Sequence, residues 1–232
     1  MQVIEVSVTG VRSAVITMRR RETPLAFVLF PMLHLGTEAF YWQVGNRLSR
    51  CDLVVAEGIT GRSVVIAALT LAYRLPGRRR RLGLVKQPVD LAGLGVQVIR
   101  PDMTAADFRR GWRAVPILQR TLVVCLAPVV AVGFWLFGTR RMLSRYANMD
   151  DLPDQIQSQV RAQAGALEEL LVDRRDGLLI SALDAIHDQH GTEPTTVAVV
   201  YGAGHMPGVV HHLATAYGYR PRDAEWLTVF DF

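Results

Sequence analysis

Residues 196–208, TVAVVYGAGHMPG, carry a β-branched apolar run at 197–200 that stops at a glycine-rich turn holding His205. The run reads as a buried strand. Gly202 and Gly204 have no Cβ, so the backbone there can turn tightly and come close to a ligand. Beyond Pro207 the segment 209–217 reads as a helix, with a proline suited to its opening turn. His205 is thereby placed at the carboxyl end of a strand and the amino end of a helix. That is the edge at which open α/β sheets bind ligands.

Two other segments are built in the same way. The apolar run 25–30 leads into PMLHLGT at 31–37, which delivers His34, and the run 52–56 ends at Glu57-Gly58. If the three strands are parallel neighbours, His34, Glu57 and His205 arrive at one sheet edge. Two imidazoles and a carboxylate are a donor set for a divalent metal.

The remaining elements read as scaffold. Strands are expected at 3–8, 14–18, 96–99 and 226–230, and a helix over 105–115, capped by Thr104 with Asp107 at capping-box spacing. A longer helix is expected to open at 150–154 and run through 155–171, with acidic residues near its positive end. Arg175 and Asp176 then stand at the start of a helix over 177–187. The fold class these elements define is α/β, with a central mixed or mostly parallel sheet flanked by helices and a strongly apolar helix in mid-chain. At 232 residues, with no linker-like tract and no internal repeat, the chain reads as one domain.

Composition narrows the functional classes. Cys51 and Cys125 fit no metal-ligand spacing and no disulfide framework, so a reducing compartment is expected. The net charge of +5 comes from arginine clusters at 19–21, at 78–81 and at Arg140, Arg141 and Arg145. They lack interleaved aromatics and match no nucleic-acid-binding motif, so no nucleic-acid partner is expected. A solvated or membrane-facing basic rim is the reading adopted. Arg19–Arg21 before the apolar stretch 24–33 imitates a signal peptide but lies too far inside the chain, so no cleaved targeting segment is expected.

Residues 121–138, TLVVCLAPVVAVGFWLFG, hold no charge and are flanked by arginines on both sides. This is near the minimum for a membrane-spanning helix, and Trp135 suits an interface. A single crossing would put His34 and Glu57 on one side of the bilayer and Arg175 and His205 on the other, breaking a shared site. A buried helix, a second crossing through 64–75, or separate sites would each resolve the conflict. The reading adopted is a helix that lies on or dips into the membrane, or packs against a partner subunit such as a second copy. The expected location is membrane-associated and otherwise cytoplasmic.

Gly202-Ala203-Gly204-His205 with Pro207-Gly208, Val55-Ala56-Glu57-Gly58 and Arg174-Arg175-Asp176 occur in an order that resembles the TraB/PrgY/GumN and Tiki superfamily. Its members carry a Gly-x-x-His motif after the first core strands, a glutamate after the next, a Glu-Arg-Asn/Asp motif, and a second Gly-x-x-His near the C-terminus. Pro31 stands where the first motif has glycine, and Arg174 where the third has glutamate. Residues 64–150, a divergent helical section containing the apolar helix 121–138, match no motif. The Tiki branch implies a metal-dependent protease, and the TraB and PrgY branch a pheromone-shutdown or signalling-inhibition protein. The implied activity is therefore that of a metal-dependent hydrolase, a peptidase acting on a peptide or protein signal. The alternative is a non-catalytic TraB-like binding or signalling-inhibition protein associated with a membrane.

Under the metal reading, His34 and His205 ligate Zn²⁺, Mn²⁺ or Co²⁺, and Glu57 is either the third ligand or the base that activates a bound water. Arg175 would stabilise charge developing on oxygen, and Asp176 would orient a ligand or the arginine. The bland alternatives are a helix-capping His205, a buried His34 satisfied by a carbonyl, a Glu57 paired with an arginine, and Arg175 and Asp176 paired across a helix start. His187, His190, His211 and His212 read as helix-surface residues.

Overall fold

The computed structural model describes residues 2–61, 65–67, 70, 80–87, 91–147, 165 and 169–232. Its strands are β1 (Ile4–Val6), β2 (Gly10–Arg19), β3 (Ala26–Met32), β4 (Leu35–Gly36), β5 (Leu53–Ala56), β6 (Val85–Lys86), β7 (Gln97–Ile99), β8 (Thr196–Gly202) and β9 (Arg220–Asp231). The helices are α1 (Glu38–Leu48), α2 (Ala105–Ala114), α3 (Ile117–Phe137), α4 (Arg140–Ala147), α5 (Arg174–His190) and α6 (Met206–Ala216).

The fold is α/β, with a mixed seven-stranded sheet flanked by helices. Its antiparallel part is organised by β2, which gives one edge to β9 over its whole length. The other edge is shared between β1, at residues 11–13, and β3, at residues 16–19. From β3 onward the order is β3-β8-β5-β7, all parallel. The strand that closes the chain's motif series, β8, is thus the centre of the parallel part, between β3 and β5. These strands are buried nearly throughout, which is why they read as continuous apolar runs without alternation.

Pro31 lies inside a central strand, where its missing N–H would ordinarily break a ladder. Here the pairing with β2 ends at Ile16 opposite Leu29, so Pro31 lies beyond it. Its carbonyl accepts the Ser13 hydroxyl at 2.6 Å, and the parallel pairing with β8 continues past it to Met32 opposite Gly202.

Several element boundaries differ from the sequence expectation. The turn after β8 needs no left-handed backbone: Gly202 is extended, with φ −50° and ψ 142°, a 3₁₀ turn follows over Ala203–His205, and α6 starts at Met206 rather than at 209. Neither Gly202 nor Gly204 adopts a positive φ. Helix α5 begins at Arg174 rather than 177 and runs to His190, because it is entered from a π-helical turn, Glu169–Asp173, whose last residue is already helical. Strand β9 begins at Arg220 rather than 226. Its first half is exposed and is held by main-chain bonds to β2, which leave no apolar signature. The capping box of α2 forms as expected, with Asp107 N–H donating to Thr104 Oγ1 at 3.1 Å and Thr104 N–H to Asp107 Oδ2 at 3.3 Å.

Helix α3 is long and apolar enough to cross a membrane, and only 11% of its apolar window is buried inside the protein. Within the described residues it is therefore largely uncovered. Ala131 and Phe134 are buried, and Val123 packs on a second hydrophobic cluster built from Met103, Phe108, Trp112, Val115 and Leu170. The apolar stretch 64–75 and the helix expected over 150–171 lie largely outside the described residues.

Candidate active site

The parallel register delivers the three strand-end residues together. Ala56 is level with Val200, and Met32 with Gly202, so Glu57, His34 and the turn holding His205 emerge at one edge. Helix α5 brings Arg175 and Asp176 to the same edge in its first turn.

Arg175 is the electrostatic centre. Its Nε and one Nη donate to the two oxygens of Asp102 at 2.9 and 2.7 Å, a bidentate fork, and the same Nη reaches Glu57 Oε1 at 2.5 Å. The three side chains are buried, 11% exposed for Arg175, 14% for Glu57 and 0% for Asp102. The carboxylates are further held by main-chain donors. Gly202 N–H reaches Glu57 Oε2 at 2.7 Å, and the N–H groups of Gly58 and Met103 reach Asp102 at 3.0 and 2.8 Å. Arg100 adds a bond to the Glu57 carbonyl at 3.2 Å.

Burial alone would raise the pKa of Glu57. The Arg175 charge, the His205 ring, the Arg175 bond and the Gly202 N–H outweigh it, so the carboxyl sits below its ordinary value of 4.5. Asp102 follows the same pattern: burial is outweighed by the Arg175 bond and charge and by the two N–H donors, below an ordinary 3.8. His34 differs. Burial is the dominant cause and holds its pKa below 6.5, against an opposing pull from Glu57, so the ring is neutral near pH 7.

These directions predict two windows of acid destabilisation. A neutral buried His34 contributes stability that is present above about pH 6.5 and is lost as the pH falls toward its lower folded value. The depressed carboxylates contribute stability that is present above about pH 4.5 and is lost as the pH falls through their folded values. Urea unfolding measured between about pH 7 and pH 3 should show both declines. His34→Gln should remove the upper one and leave the lower.

His205 is 7% exposed, and its ring is fixed from two sides. Nδ1 lies 2.5 Å from Asp176 Oδ1, and Tyr201 packs edge-on at 5.7 Å between centroids. Of the two partners expected for Asp176, a metal ligand or the arginine, the structure pairs it with the imidazole. With the carboxylate as acceptor, Nδ1 carries a proton, and Nε2 lies 4.0 Å from Glu57 Oε1. Among the described residues, no three His, Cys, Asp or Glu side chains stand close enough to enclose an ion. His205 and Glu57 therefore stand as a two-donor pair, and Glu57 also lines a cleft whose wall carries His34.

The cleft has a volume of about 460 Å³, within the range of small-ligand sites. Its polar side carries His34, Glu57, Lys86, Arg100 and Arg175, and its apolar side Val44, Leu48, Leu91, Leu94 and Phe108. The short pairing of β4 with β6 positions this wall, with Gln87 N–H donating to the His34 carbonyl at 3.0 Å. The Tyr41 hydroxyl donates to the Leu33 carbonyl at 2.7 Å and fixes the residue before His34.

Of the two glycines marked in the sequence, only Gly202 meets a close neighbour. A Cβ there would stand 3.2 Å from Glu57 Oε2 and 3.6 Å from the His205 ring, whereas one at Gly204 would meet nothing within 4 Å. Gly202→Ala should push Glu57 off its main-chain donor at a cost of about 1–3 kcal/mol, and Gly204→Ala should be close to neutral. Thermal unfolding of the two variants side by side checks the contrast.

Asp102 is the site residue absent from the candidates drawn from the sequence. One signal was available: Asp102 follows the end of β7 as Glu57 follows β5, and both strand ends lie on the ligand-binding edge. The other histidines lie elsewhere on α5 and α6. His212 pairs with Asp184 at 2.6 Å and His190 with Glu193 at 2.9 Å, His187 packs on Tyr217, and His211 is exposed. Comparison of the chain with protein-family models, with curated proteins and with solved structures finds no match.

Proposed function

We propose that these strand-end residues form a hydrolase site that cleaves a peptide or protein, with a divalent cation taken by Glu57 and His205 and with His34, at the same sheet edge, closing on it as the third ligand. The observation that carries the reading is the pairing of His205 with Asp176. A carboxylate on one ring nitrogen fixes the tautomer and leaves the other nitrogen as a donor, the outer arrangement typical of metal-bound histidines. That nitrogen lies 4.0 Å from Glu57 Oε1, so the two side chains would hold a cation between them when the ring is neutral. The donor set suits Zn²⁺, Mn²⁺ or Co²⁺.

A bound cation would lower the pKa of a water and polarise the scissile carbonyl. The chain's own residues supply the rest. Arg175 holds Glu57 ionised, so the carboxylate can ligate or accept a proton from the attacking water. Asp176 orients His205, and the apolar wall holds a non-polar side chain of the substrate. The exposed apolar surface of α3 supports association with a membrane.

Elemental analysis of the purified protein beside His34→Ala and His205→Ala tests the reading. Near-stoichiometric metal lost in both variants is the expected result, and a wild-type protein without metal after Zn²⁺, Mn²⁺ or Co²⁺ is added would end it. One observation favours a second reading, a non-catalytic binding protein: Arg175 is engaged by two carboxylates rather than directed at an incoming oxygen. Such a protein would bind its peptide with Glu57→Gln in place and hydrolyse nothing in either form.

A further inference from the structure

We infer that α3 is an in-plane anchor, lying along the surface of a bilayer with anionic headgroups and not crossing it. This rests on the membrane association proposed for α3. Strands β5 and β7 precede α3 in the chain and β8 follows it, yet Val54 pairs with both Val98 and Ala198 in one sheet. Both flanks of α3 therefore belong to one body on one side of any membrane. Recrossing would need about 18 apolar residues, and between α3 and α5 the longest uncharged runs are 155–160 and 162–167.

Both ends of the helix, which is roughly 30 Å long, are tied to that body. At its start, Phe108 and Trp112 of α2 share a buried cluster with Val123. At its end, Arg140 donates to the carbonyls of Leu82 and Asp231 at 2.7 and 2.9 Å. One seam of α3, through Val123, Ala127, Ala131 and Phe134, is turned away from solvent. Around the rest, Leu122, Leu126, Val129 and Phe137 are exposed.

Charge selects the occupant. Residues 105–147 hold seven arginines and a single acid, Asp107, which is paired with Arg110. Arg109 and Arg113 are exposed on α2, and a groove of about 800 Å³ at the far end of α3 is lined by three arginines, Arg81, Arg140 and Arg141, against one acid, Asp231. A second copy packed on the same face would bring its own arginines against these. Phosphate headgroups complement them, and acyl chains cover the apolar face.

Cys125 is exposed on α3 and Cys51 is buried, so the full chain can be labelled at Cys125 with an environment-sensitive fluorophore. On phosphatidylcholine vesicles containing phosphatidylglycerol, we expect a blue shift and stronger quenching by headgroup-level than by bilayer-centre quenchers. In a Cys125→Ser background, Ala114→Cys and Thr139→Cys should both react with an impermeant maleimide added outside the vesicles. Arg109→Gln with Arg113→Gln should weaken vesicle binding about 25-fold. Quenching from the bilayer centre, or protection of one flank, would overturn the in-plane anchor while leaving membrane association standing. No transfer to vesicles would overturn both.

Discussion

Replacing Arg175 with methionine should destabilise the protein by about 3–5 kcal/mol, the range seen when one partner of a buried ion pair is removed. The size follows from what is left behind. The Asp102 side chain is fully buried and that of Glu57 nearly so, and without the guanidinium their charges would be left to main-chain donors and, for Glu57, the His205 ring. Without the guanidinium both carboxyl pKa values rise, so protonation relieves the strain and the difference from wild type should shrink as the pH falls toward about 4. Urea unfolding of the two proteins at pH 7 and at about pH 4 measures this directly. Arg175→Lys should recover only part of the loss, because an ammonium cannot reproduce the fork that spans Asp102 and reaches Glu57. A methionine variant as stable as wild type at neutral pH would mean that the ion cluster is not formed in solution.

The second large effect concerns chemistry. Glu57→Gln keeps the size of the side chain and leaves a carbonyl oxygen for Gly202 N–H, but removes the charge and the basic oxygen beside His205. If Glu57 takes the proton of the attacking water, kcat/KM on a peptide found by a substrate screen should fall about 10²–10⁴-fold. Asp176→Asn perturbs the site at one remove: it no longer fixes the His205 tautomer, and under the proposed metal reading metal affinity should fall about 10–100-fold. The two variants separate the roles open to Glu57: Asp176→Asn should be rescued by raising the metal concentration, and Glu57→Gln should resist that rescue if Glu57 is the base and share it if Glu57 is a ligand. Folded Glu57→Gln protein with undiminished turnover would remove the catalytic reading of that carboxylate.

The strands of the site were legible because each is short, apolar and ended by Gly, Pro or a polar residue, which is a local pattern. His34, Glu57 and His205 could be assigned to strand ends from that pattern alone, and the capping box at Thr104 from four residues. The long β9 was not legible in full, since its first half is held by main-chain bonds to β2 that do not depend on side-chain type. Asp102 was hidden for a related reason: its partner lies 73 positions away, and nothing near it in the chain marks it as an ion-pair residue.

By itself, the sequence determined the α/β class, the strand-end placement of three candidate residues and an apolar helix in mid-chain. All of these rest on local periodicity and turn chemistry. Only the tertiary structure decided that β8 lies between β3 and β5, that Arg175 binds Glu57 and Asp102 while Asp176 takes His205, and that the strands before and after α3 belong to one sheet. Strand order and long-range pairing are set by which surfaces can be buried together, a property of the packed chain that no local stretch contains.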